Sequence, residues 1–457
     1  MNERIKDMTQ GKPGRLILSF ALPLMVGNIC QQLYTLVDTV IVGQFVGVEA
    51  LASLGAADWL NWLVLGIVTG FTQGFGILMA QRFGAGDDQG LRKSMALSAV
   101  LSAVIALATT LISQLACVPV LQALNTPANI IDNAILYLRI MFGGIVAITF
   151  YNLLASVLRA LGDSKTPLYA MLVASVINIV LDLLFVVPFQ WGVAGAAIAT
   201  VIAQVCAGLF CLRAILRVKM LKMTRKDMAY EKRTARELVR LGAPLAFQNA
   251  IISVGGLVVQ YVINGFGFIM VAGFTATNKL YGILELAAIS YGYAIATFTG
   301  QNLGAGKIDR IRTGMRSGIG MAIITAAAIG VAMLLCGRYV LMIFVSGEPQ
   351  VVSQVLDVAY RYLCIMSVML PVLYLLHLYR SALQGMGDTV IPMISGIVEL
   401  VMRIAAALAL PLIMGESGIY YAEILAWLGA AALLAAAYYR RMRNLEVPPG
   451  MSANLEA

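Results

Sequence analysis

Twelve apolar runs, each long enough to cross a bilayer, follow one another through this sequence. They lie near 16–45, 52–82, 93–117, 131–159, 166–188 and 193–217, then near 240–266, 271–302, 313–337, 352–383, 390–413 and 418–440. A helix needs about 20 apolar residues to span the hydrocarbon core. No water reaches the backbone there, so each segment must close its own N–H and C=O bonds as a helix. The expected fold is an all-α integral membrane protein with twelve transmembrane helices. Composition agrees: 60% of the residues are hydrophobic and 12% are charged, about half the charged share of a soluble domain.

The net charge of +9 would suit a nucleic-acid partner, but its placement points to topology instead. Arg4, Lys6, Lys12 and Arg15 precede the first run, ten basic residues lie from Arg213 to Arg240, and Arg440, Arg441 and Arg443 close the last. The alternate loops around 46–52, 118–130, 188–192, 264–272 and 414–418 carry none. This bias puts both termini in the cytoplasm of a multi-pass protein of the cell membrane. The bilayer is a partner and nucleic acid is not. No small-residue cleavage site follows the polar start, so no removed signal peptide is expected. Residues 218–236 read as a basic cytoplasmic linker between lobes 1–217 and 237–444, and 445–457 as a flexible tail. The chain is expected to be a monomer, its six cysteines buried thiols.

The halves repeat. QRFGAGD at 81–87 returns as QNLGAGK at 301–307, YLRIM at 137–141 as YLCIM at 362–366, and GDSKTP at 162–167 as GDTVIP at 387–392. Pro23 in the first run matches Pro244 in the seventh. Each repeat holds an even number of spans, so both copies enter from the same side. Two pseudo-symmetric six-helix lobes, related by an axis along the membrane normal and separated by a cleft, are expected.

Polar residues inside the runs carry the functional reading. Gln31, Tyr34, Thr35 and Asp38 fall at i, i+3, i+4 and i+7, a polar stripe on one helix face. A charge near the bilayer centre costs about 2.5–3.5 kcal/mol even on the lenient insertion scale, so Asp38 must face other helices or a watery cavity. Asn178 and Asp182 share a face of the fifth run, Thr200 and Gln204 have the same spacing in the sixth, and Tyr137 and Asn152 lie in the fourth. Two carboxylates among amide and hydroxyl oxygens suit a hard-cation site or an acid pair sharing a proton. The plainer alternative is a polar network that only ties helices together. In the second half Arg403 and Ala407 stand where Asn178 and Asp182 would repeat. Glu399 and Arg403, at i and i+4, are expected to neutralise each other. Glu285 is a candidate for meeting a cationic substrate. His377, the only histidine, is either a helix-packing group or a cavity residue. No HExxH, GxSxG or phosphate-cradling motif occurs, and one histidine leaves little acid–base machinery, so a transporter is expected rather than an enzyme.

With these features the chain resembles the multidrug and toxic compound extrusion (MATE) family over about residues 12–440, and within it the DinF-like branch. The resemblance rests on the repeat, the paired prolines, the QxxGAG turns and the stretch from Arg159 to Pro167. It implies a cation-binding set of Asp38, Asn178, Asp182 and Thr200, holding a proton or a sodium ion, with Gln31, Tyr137 and Asn152 in the surrounding network. It implies no cofactor beyond the coupling ion. The implied activity is secondary active multidrug efflux, an antiport in which inward proton or sodium flow drives export of amphipathic, often cationic compounds. A lipid-linked precursor flippase of the same superfamily is the alternative. The chain departs from the NorM-like branch: its seventh run has no acid, and its tenth offers His377 and Arg380. Glu285 and His377 are the second-lobe candidates.

Overall fold

The structure, a computed structural model, describes residues 5–446 apart from 125, 226, 346 and 347. The expected tail lies, from residue 447 on, outside the described residues, as does Arg4. Among the described residues all regular structure is helical: α1 (Pro13–Phe45), α2 (Val48–Gly84), α3 (Asp88–Ala123), α4 (Ala128–Gly143), α5 (Ile145–Ala160), α6 (Lys165–Val186), α7 (Gly192–Leu216), α8 (Lys232–Asn264), α9 (Phe268–Gly304), α10 (Ile308–Leu341), α11 (Pro349–Gly385), α12 (Val390–Met414) and α13 (Ala422–Glu446). Helices α1–α3 and α6–α11 are each long and apolar enough to span. So is Val390–Leu445, where the 3-10 turn Gly415–Tyr421 separates α12 from α13. Helices α4 and α5 pass together as one span bent by 46°. Counted this way, there are eleven among the described residues, and twelve when α12 and α13, of 25 residues each, are taken as separate spans. The bend divides the run expected at 131–159. Gly143 and Gly144 adjoin there, and two residues without side chains are a recurrent cause of a kink. Its counterpart α11 runs on without a break.

The repeated motifs have physical causes. Gly86 and Gly306 end the two QxxGAG turns with φ of 70° and 69°, a left-handed conformation that side chains disfavour. In the other repeat, Asp163 accepts from the backbone N–H groups of Lys165 and Thr166 at the start of α6. Asp388 does the same for Ile391 at the start of α12. Each aspartate satisfies orphan donors of a helix N-terminus.

Packing divides the chain into two units. The first takes in Leu22–Ala250, while the second combines Thr9–Ala21 with the chain from Ile251 onward. In the first unit α2 packs on α3, α4 and α5, and α7 packs on α4, α5 and α6. Helix α2 also meets the start of α8 backbone to backbone: a Cβ on Gly70 would fall 2.4 Å from Ala246 N, and one on Gly74 would fall 2.4 Å from Gly242 Cα. In the second unit α11 packs on α9, α10 and α13, and α12 packs on α13.

Much of 218–236 is fastened to the first unit. Val218 and Leu221 are buried. Asp227 accepts from Thr224 N at 2.8 Å and from Arg92 Nε at 3.2 Å, and Lys93 reaches Glu231 at 3.3 Å. The Thr224 backbone N–H first, then its hydroxyl and Arg92, hold the Asp227 carboxyl below its ordinary value.

Candidate functional site

Three helices of the first unit bring the polar side chains inward. On α1, Tyr34 and Asp38 are buried and Gln31 is half-buried, whereas Thr35 is exposed and donates to Gln31 O at 3.0 Å. On α6, Asn178 and Asp182 are fully buried. On α7, half-buried Thr200 accepts from Asn178 Nδ2 at 3.3 Å, a bond that ties α7 to α6.

What distinguishes this cluster is what its oxygens lack. Both carboxylate oxygens of Asp182, Oδ1 of Asp38, Oδ1 of Asn178 and Oε1 of Gln204 are buried and accept no hydrogen bond. Leaving one buried acceptor unsatisfied costs about 1–3 kcal/mol, and a charged one costs more. A proton or a hard cation bound at either carboxylate would relieve that cost there. Among the described residues no three His, Cys, Asp or Glu side chains gather as metal ligands. The donors here are carboxylate, amide and hydroxyl oxygens, which suit a hard ion. The charges of Asp38 and Asp182 bear on each other, and Tyr34 is within reach of Gln31, Gln204 and both acids. The charges of Asp38 and Asp182 bear on Tyr137 as well. Asn152 instead donates to Ile148 O at 3.0 Å on its own helix.

Sequence reasoning missed Asp58. It stands exposed on α2, and its charge bears on both Asp38 and Tyr137. It lies near the edge of an apolar run, and its acidic neighbour is on another helix. A count of carboxylates within every run would have flagged it.

The second unit pairs its charges differently from the sequence expectation. Glu399 is salt-bridged to Arg380 of α11, and Arg403 reaches Glu423 of α13 at 2.8 Å but Glu399 at only 3.9 Å. The i, i+4 pairing yields because facing helices bring closer partners of opposite charge. Glu423, also missed, sits in the first turn of α13. His377 Nε2 lies 3.1 Å from Glu285 Oε1, which joins the two second-lobe candidates. Lys279 is exposed.

The family MatE matches residues 23–184 and 244–408. The chain is 30% identical over 351 residues to the probable multidrug resistance protein YpnP of Bacillus subtilis, covering 76% of this chain and 78% of that one. It is 27% identical over 366 residues to the DNA damage-inducible protein F of Escherichia coli, covering 77% and 76%. Among solved structures, that of MATE in complex with MaL6 superimposes with a TM-score of 0.91 at 23% identity, covering 98% of this chain and 100% of that one. The two matched segments fall on the two repeats, and the chain belongs to the MatE family, whose members are transporters and not enzymes.

Proposed function

We propose that this protein is a secondary active exporter of amphipathic, often cationic small molecules, driven by inward flow of protons or sodium ions through the first-unit cluster. The observation that carries the reading is the set of buried, unsatisfied oxygens on Asp38, Asn178, Asp182 and Gln204. A coupling ion among them removes the cost of two uncompensated carboxylates, and its departure restores that cost. Occupancy therefore favours one arrangement of α1, α6 and α7 over another. The energy is adequate: one charge crossing 100 mV releases about 2.3 kcal/mol, and each pH unit adds about 1.4 kcal/mol. The names of relatives such as YpnP support drug export. A flippase for anionic lipid-linked precursors would need free basic groups. Of the basic groups in the second-unit spans, Lys279 is exposed, while Arg380 and Arg403 are engaged by Glu399 and Glu423, and the engagement of the two arginines favours the export reading. The distribution of basic residues supports a cytoplasmic side for the basic loops and both tails.

The test is transport by purified protein in lipid vesicles, with proton and sodium gradients imposed separately. Asp38→Asn and Asp182→Asn should each insert and fold yet lose gradient-driven export. Wild-type export by both variants, with unchanged dependence on the gradient, would overturn the site.

A further inference from the structure

The segment that joins α7 to α8 sorts its charges by side. Its acids turn toward the first unit. Asp227 meets Arg92 at 3.2 Å, Glu231 meets Lys93 at 3.3 Å, and Glu237, near the start of α8, meets Arg82 at 3.3 Å. Each of these bases stands on α2 or α3, so the negative charges of the segment are matched from within. Its own basic residues are left outside: Arg217, Lys219, Lys222, Arg225, Lys232 and Arg236 are all exposed.

Apolar groups stand among those bases. Met223, Met228 and Tyr230 are 39%, 68% and 74% exposed. An exposed leucine or valine on a spanning helix is covered by lipid chains, but these three lie in the connection, beyond the end of α7 at Leu216 and before the start of α8 at Lys232. The connection is fastened, so they do not simply turn inward. Val218 and Leu221 are buried, Asp227 accepts from Thr224 N at 2.8 Å, and Arg92 Nη1 donates to Met220 O at 3.2 Å. These contacts present a fixed outer face that combines cations with thioether and phenol side chains. A bilayer surface matches that composition: headgroup phosphates attract the cations, and Met and Tyr enter the boundary beneath them.

We propose that residues 217–236 form an interfacial anchor that docks on anionic phospholipid headgroups, with Met228 and Tyr230 as the inserted side chains. Charge complementarity selects the occupant. The cytoplasmic leaflet, to which the basic residues direct this connection, carries a negative surface potential that attracts basic segments next to a span. A soluble acidic protein is the competing occupant. The segment follows one spanning helix and precedes another, which brings headgroups within reach without recruiting a partner. Docking then holds the first unit, through Arg92 and Lys93, at a set depth against that leaflet. The anchor goes beyond the export reading and uses none of its residues.

The test uses the full chain without native thiols, since Cys336 is exposed. An environment-sensitive fluorophore is placed on Ala229→Cys, an exposed position between the two inserted side chains. The protein is reconstituted in nanodiscs of phosphatidylcholine alone, or with added phosphatidylglycerol, each containing chain-brominated lipid as quencher. Quenching should rise with the phosphatidylglycerol share and fall back at high salt, as screening requires. Replacing Lys219, Lys222 and Arg225 together by Gln should remove most of that rise. Should loss of those charges misorient the chain, Met228→Ser with Tyr230→Ser, which keeps every charge, should abolish the quenching. Glycerol phosphate in solution should change nothing in phosphatidylcholine discs, and Asp38→Asn should respond as the parent does. Equal quenching in both bilayers, or a response reproduced by glycerol phosphate, would overturn the proposal. Quenching in neither bilayer would do so as well, and would leave the face to a soluble partner.

Discussion

Two buried acids in membrane helices, Asp182 and Glu399, carry their charge in opposite ways. Glu399 has arginines within reach on both α11 and α12, whereas neither oxygen of Asp182 has a partner. Glu399→Gln should therefore strand Arg380 and cost about 3–5 kcal/mol of stability, seen as a lower melting temperature in detergent. Asp182→Asn breaks no bond of its carboxylate and should melt close to wild type. Asp227 supplies a pH-dependent contribution outside the membrane. Its carboxyl is held below the ordinary value, so its stabilisation is complete above that value and is lost as pH falls through the lowered one. The 220–231 segment should thus become sensitive to pepsin only below about pH 4, and Asp227→Asn should open it already at higher pH. Asp38 and Asp182 were legible because a charge inside an apolar run is a local fact. Asp58 and Glu423 were not, since each stands near a run's edge and acquires its meaning from a neighbour on another helix. Glu399 and Arg403 do meet, at 3.9 Å, but each has a nearer partner on a facing helix: i, i+4 spacing states who can meet, and tertiary packing decides who meets most closely.

The helices themselves follow from run length, and their ends from turn chemistry in the repeated motifs. The break between α4 and α5 did not show in the sequence, because Gly143 and Gly144 interrupt neither the hydropathy nor the length of the run. The crossing of α2 on α8 was equally hidden, since a glycine spacing does not name the helix it meets. A sharp contrast should exist along α2. Gly74→Leu drives a side chain into the backbone at Gly242 and should destabilise the protein by at least about 1–3 kcal/mol, the usual cost of overpacking. Gly55→Ala meets nothing within 4 Å and should be neutral, or stabilising by up to about 1 kcal/mol through helix propensity. Thermal melts of the two variants in one detergent provide the comparison.

At the scale of the whole molecule, the basic loops predict sidedness. In a background lacking native thiols, needed because Cys336 is exposed, single cysteines replacing Glu49 and Gly415 should react with an impermeant reagent added outside cells. A cysteine replacing Lys222 should react only after the membrane is opened, and outside labelling there would reverse the topology. The repeat told which segments correspond, but not that packing would assign Thr9–Ala21 to the unit that resumes at Ile251. That assignment bears on how the protein is made. Lys307 holds Thr9 O at 2.9 Å across a sequence separation of 298 residues. At about 5–20 residues per second of translation, the leading end of α1 waits on the order of 15–60 s for its neighbours to exist. Until then it is an unsheltered client of the insertion and quality-control machinery, and a nascent chain that stalls before α9 leaves it so permanently.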